Sequence, residues 1–156
     1  FTVYGPWGRP DMALFLFTDA ILNNREIKVF NNGNMIRDFT YIDDIVEGVF
    51  KVIFKTPSPN NTFDKLNPNP SSSWAPYKIF NIGNSNPVKL MDYITTIEEI
   101  LDKKATKILL PMQPGDVKAT SADMNNLENW IDFKPATTIK DGVDKFISWY
   151  KDYYKI

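Results

Sequence analysis

Neither cysteine nor histidine occurs anywhere in the 156 residues. The first absence excludes a disulfide framework and any thiolate metal site. The second excludes a Ser-His-Asp or Cys-His engine and a histidine-ligated zinc. An excess of either charge is missing as well. A net charge of −1 gives no electrostatic case for nucleic acid or an anionic membrane, partners that call for a basic surplus. No apolar run has the length needed to cross a bilayer, so a cytoplasmic protein is expected. What remains is ordinary: 43% hydrophobic and 24% charged residues, enough for one compact domain with its own core.

The chain opens on Phe1-Thr2-Val3-Tyr4-Gly5-Pro6, which reads as the end of a strand running into a turn. A strand without sheet neighbours suggests an upstream half, and that is the expectation here. Pro10 and Asp11 suit a helix start, and residues 12–22 are apolar on almost all sides, as in a buried helix. A short strand is expected over 27–30, followed by Asn-Asn-Gly-Asn turn chemistry, with extended chain again over 35–42. Asp43 is placed to cap a second helix carrying Ile45, Val46, Val49, Phe50 and Ile53 at helical spacing. Residues 56–76, rich in Pro, Asn and Ser, read as a solvated loop. A strand over 78–82, an amphipathic helix over 90–101, a strand over 107–110 and a polar helix near 122–130 come next. The last helix starts near Thr138, with Asp141 completing a variant of the capping box. The pattern is mixed α/β, it contains no repeat, and its sheet order cannot be read from spacing.

Several charged residues stand where ligand chemistry is possible. Arg9 lies between a Gly-rich turn and a helix start, where a cation and backbone donors can both face an anion. Arg37-Asp38 interrupts an apolar, aromatic strand. Arg37 can grip a phosphate or carboxylate with its planar fork, or it can pair with Asp38. Gln113-Pro114-Gly115-Asp116 is a rigid turn offering an amide and a carboxylate, or an ordinary surface turn. Asp43-Asp44 resembles a carboxylate couple, but helix capping accounts for it more simply. The row Trp149, Tyr150, Tyr153, Tyr154 reads as core packing along a helix.

Taken in order, these segments are more specific than any one alone. Thr2-Val-Tyr-Gly-Pro, Gly8-Arg-Pro-Asp-Met-Ala13, Val29-Phe-Asn, Arg37-Asp-Phe-Thr-Tyr-Ile-Asp-Asp44, Asn81-Ile-Gly-Asn84 and Leu110-Pro-Met-Gln-Pro-Gly-Asp-Val117 resemble the C-terminal half of UDP-glucuronate 4-epimerases. These are extended short-chain dehydrogenases of the NAD-dependent epimerase/dehydratase type. The resemblance implies an α/β fold made of the last Rossmann elements and a small mixed substrate-binding domain, all within 1–156. It implies that Thr2 contacts the sugar and that Val3 offers backbone to NAD. Arg9 is implied to meet the glucuronate carboxylate, Lys28, Val29 and Phe30 to hold uracil, Arg37 the diphosphate, and Asp116 the ribose hydroxyls. Gln113 stands where UDP-galactose epimerases carry a phosphate-binding arginine, which suits the glucuronate branch.

The reaction implied oxidises sugar carbon 4 by hydride transfer to NAD, rotates the 4-keto sugar and returns the hydride to its other face. It needs a Tyr-x-x-x-Lys pair and a glycine fingerprint. No tyrosine here has a lysine four positions on. Gly5 and Gly8 are suggestively spaced, but Asp11 occupies the third position. Hence the chain is expected to be a substrate-binding half without catalytic residues, inactive alone, and part of a homodimer when complete. A related UDP-sugar dehydratase or decarboxylase half, and a non-catalytic nucleotide-sugar-binding module, are the alternatives.

Overall fold

The computed structural model describes residues 2–156; the opening residue of the expected first strand, Phe1, lies outside them. Strand β1 (Thr2–Tyr4) pairs in parallel with β4 (Phe39–Tyr41), Val3 standing opposite Thr40. Strand β2 (Ile27–Val29) pairs in parallel with β6 (Lys107–Leu109), and β3 (Ile36–Arg37) runs antiparallel to β5 (Val88–Lys89). Among the described residues the strands thus form three separate pairs. The helices are α1 (Ala13–Leu22), α2 (Ile42–Ile53), α3 (Leu90–Leu101), α4 (Asn125–Ile131) and α5 (Ile139–Tyr154).

Helices α1, α3 and α5 pack against one side of the β1–β4 pair. Tyr4, Phe39 and Tyr41 of the strands meet Phe17 and Ile21 of α1, Tyr93, Ile94 and Ile97 of α3, and Val143, Phe146 and Ile147 of α5. The Phe39 and Tyr93 rings stack with centroids 4.1 Å apart. A second, smaller cluster joins Ala122, Met124 and Leu127 to Val52, Phe80 and Ile82. α5 starts as its sequence predicts: Thr138 Oγ1 accepts from the Asp141 amide at 3.1 Å and bonds the Asp141 carboxylate at 2.6 Å. The α3 boundaries agree with expectation, and its Tyr93, Ile94, Ile97 and Leu101 face the core.

Three expectations are corrected. Residues 78–82 form no strand; a single bridge joins Lys78 to Ser72, and an extended segment without further partners makes no ladder. α2 begins at Ile42 with Tyr41 as its cap position, so Asp43 does not cap it. The Asp44 carboxylate instead accepts from the Thr137 amide and hydroxyl, both at 3.0 Å, and ties α2 to the entry of α5. The apolar stripe of α2 has the expected spacing but faces outward. Val46, Val49, Phe50 and Ile53 are exposed, and Gly48 is the helix's buried position.

Candidate substrate-binding site

The site grows from two crossings of the chain. At the first, the β2–β6 pair continues past its strand ends: the Leu110 amide bonds the Val29 carbonyl at 2.9 Å, and the Asn32 amide bonds the Leu110 carbonyl at 2.9 Å. Residues 30–33 coil tightly because Asn31 and Asn32 both adopt left-handed backbone, a conformation asparagine tolerates better than most side chains. This holds Lys28, Val29 and Phe30 beside the start of the segment carrying Gln113 and Asp116. Lys28 is exposed, Val29 fully buried and Phe30 half-buried.

At the second crossing, residues 118–120 run alongside β3. The Ile36 amide bonds the Lys118 carbonyl, and the Thr120 amide bonds the Ile36 carbonyl. Gln113-Pro114-Gly115-Asp116 then turns back sharply, with Gly115 at φ +81° and the Asp116 amide on the Gln113 carbonyl. Arg37 donates to Asp116 Oδ1 at 2.7 Å and to its neighbour's carbonyl, Ile36 O, at 2.9 Å. The Arg37 side chain is therefore tied to the turn, not to Asp38. Asp38 is fully buried; its Oδ2 accepts from the Ser85 amide at 3.1 Å and the Ala122 amide at 2.9 Å. A charge held by two oriented amides stiffens the loops around it.

Thr2, Val3, Trp7, Gly8, Arg9, Met12 and Thr120 line an open, shallow cavity of about 510 Å³. Arg9 is exposed there, its Nε on Asp11 Oδ1 at 3.1 Å; both side chains are open to water, so this pair is weak and easily exchanged. Thr120, which no sequence motif marks, joins the two regions. Its amide bonds β3, its hydroxyl accepts from the Asp38 amide at 3.2 Å, and it lines the cavity. Only the crossing of β3 with residues 118–120 brings it into place.

The candidate residues therefore fall into three groups. Lys28, Val29 and Phe30 sit at the β2–β6 end, and Arg37, Gln113 and Asp116 at the turn that follows it. Thr2, Val3 and Arg9 border the cavity. The arrangement offers a buried backbone edge and a ring, then a guanidinium locked beside a carboxylate, then a roomy pocket with an exposed cation. Among the described residues no group of three or more acidic side chains is placed to hold a metal ion. No helix of the described residues is long and apolar enough to cross a membrane.

Residues 1–67 match the NAD dependent epimerase/dehydratase family. Over those residues the chain is similar to members of that family. It is 57% identical to Protein CapI of Staphylococcus aureus over 99% of its own length and 46% of that protein's. It is 44% identical to the probable UDP-glucuronate 4-epimerase of Rhizobium meliloti, again covering 99% of the chain and 46% of the relative. The crystal structure of UDP-glucuronic acid 4-epimerase from Bacillus cereus, in complex with UDP-glucuronic acid and NAD, superposes with a TM-score of 0.80 at 30% identity, covering 99% of this chain and 44% of that one. The chain thus spans about half the length of the relatives it matches, and its fold is that of an extended short-chain dehydrogenase.

Proposed function

We propose that this chain is the substrate-binding half of a nucleotide-sugar epimerase that interconverts UDP-glucuronate and UDP-galacturonate. The observation that carries the reading is the Arg37–Asp116 pair, whose strand β3 is bonded to Thr120 of the Arg9 pocket. A UDP-sugar needs a base seat, an anion grip and a sugar pocket. The uracil lies against the Lys28 to Phe30 backbone and the Phe30 ring. The diphosphate takes charge-assisted bonds from Arg37, with Gln113 beside it, and the ribose hydroxyls donate to Asp116. The sugar reaches the cavity, where Thr2 contacts it and Arg9 meets its carboxylate.

The residues present fit only one edge of NAD. Val3, 38% exposed on the cavity wall, offers backbone to the nicotinamide end, and the sequence holds no glycine fingerprint for the pyrophosphate. When bound, NAD supplies the hydride acceptor and donor for sugar carbon 4. This chain's part is to grip, orient and shield the sugar nucleotide while the base and most of the cofactor site come from the rest of the protein. The outer edge of β1 and the exposed apolar stripe of α2 support a seat for that remainder, since a two-stranded parallel pair is ordinarily covered on its faces and edges. The full-length protein is proposed to be a homodimer.

The test joins this chain to the part of the Staphylococcus aureus relative that it does not span. The 156 residues alone should form no product, and the joined protein should release UDP-galacturonate from UDP-glucuronate. A joined protein that folds and holds NAD but forms a pentose with loss of CO2 would make the decarboxylase reading correct instead. Turnover by the 156 residues alone would remove the half-enzyme reading.

A further inference from the structure

The chain contains two turns of the same design, and one of them carries the wrong residue for its backbone. In Gln113-Pro114-Gly115-Asp116 the third position is glycine, at φ +81°. In Gly5-Pro6-Trp7-Gly8 the Gly8 amide bonds the Gly5 carbonyl at 3.1 Å, proline again takes the second position, and the third is Trp7 at φ +63°. A turn of this kind asks for glycine or asparagine at that position, and a bulky side chain is strained there. Core packing does not explain the choice, because Trp7 is 74% exposed.

Its ring contacts do. The Trp7 ring lies 5.4 Å from Trp149 and meets Tyr153 edge-on at 5.2 Å, both on α5. Trp149 and Tyr153 stack on each other, and Trp149 also touches Phe146, which is buried in the core. The turn is thus pinned from outside to the longest helix of the described residues. Arg9 comes directly after the turn and its carbonyl accepts the Met12 amide at 3.1 Å; Arg9 and Met12 form a wall of the 510 Å³ cavity.

We propose that Trp7 is a positioning residue for the sugar end of the site, clamping a strained turn to Trp149 and Tyr153 so that Arg9 is held at the cavity. The proposal rests on reading that cavity as the sugar pocket. The clamp itself does not depend on which sugar enters.

The experiment compares Trp7→Gly, Trp7→Phe and Trp149→Ala in the full-length protein. Trp7→Gly suits the backbone, so its melting temperature should change little, which separates positioning from folding. Without ligand, exchange of the Gly8 and Met12 amides should be about tenfold faster in Trp7→Gly and Trp149→Ala, and near the parent rate in Trp7→Phe, which keeps a ring for the pad. With substrate, Trp7→Gly should raise KM for UDP-glucuronate about tenfold with kcat little altered, and should narrow the preference over UDP-glucose. Unchanged exchange at Gly8 and Met12 overturns the clamp; faster exchange with KM and preference unchanged overturns its role toward substrate. If the protein turns over a different sugar nucleotide, the glucuronate reading falls, and the exchange and KM comparisons with that nucleotide still decide the clamp.

Discussion

The Arg37 guanidinium bonds the Asp116 carboxylate at 2.7 Å across 79 residues of sequence. Both groups are partly shielded, and Asp116 Oδ1 is further fixed by the Val117 amide at 2.8 Å. The pair is therefore pre-set, with the remaining guanidinium protons and the second carboxylate oxygen available to a ligand.

Arg37→Ala should weaken UDP binding by the full-length protein about 10- to 100-fold, the range for losing charge-assisted bonds to an anion. Arg37→Lys should recover only part, since an ammonium cannot reproduce a two-pronged grip. In a double-mutant cycle with Asp116→Asn, calorimetry should find the two losses non-additive. Strict additivity would mean that the two side chains serve the ligand independently.

Glu98 predicts an acid-sensitive joint between α3 and β6. Burial pushes its carboxyl upward, but the Lys107 ammonium, the Ala105 amide and the Lys104 ammonium outweigh this and hold it below its ordinary 4.5. A carboxyl with a lowered folded-state pKa adds stability above its unfolded value. That stability drains away as pH falls through about 4.5 toward the folded pKa. Glu98→Gln should be less stable near neutral pH and lose less on acidification. Urea midpoints that fall in parallel for parent and variant would exclude this.

Gly142→Ala should be destabilising by about 1–3 kcal/mol, the usual cost of overpacking. A Cβ at that position on α5 collides with the Tyr4 hydroxyl and comes within 2.7 Å of its ring. Tyr4 cannot step aside, because Phe39, Tyr41 and Tyr93 surround its ring. Denaturant titration checks the value, and a paired Tyr4→Phe change should recover part of it.

Asp38→Ala should cost about 3 kcal/mol, as a buried amide and a half-buried one lose their shared acceptor. It should also weaken UDP binding, since the loops it ties flank Arg37 and Thr120. A variant that is less stable yet binds UDP normally would confine Asp38 to the core.

Local signals were legible and pairings were not. The α3 stripe and the Thr138–Asp141 cap involve residues within a turn or three of one another, so spacing alone exposes them. β5 holds only Val88 and Lys89, too short for a period of two to show. Residues 78–82 have strand-like composition, but a strand exists only with a partner. The same holds at the site. Arg37 was recognisable as either an anion grip or a partner of Asp38, whereas its choice of Asp116 depends on where a distant turn lands. The family resemblance supplied roles that no local pattern could.

The Asp38 carboxylate also bears on how the protein is made. Its two amide partners lie 47 and 84 residues further along the chain. Closing loops of that length costs entropy before any contact is gained, so this junction is a late event in folding. The proposed site is then not a surface that forms early and is refined. It comes into being only when β3, the Ser85 loop and residues 118–122 have met, and a nascent chain that ends before Ala122 lacks it.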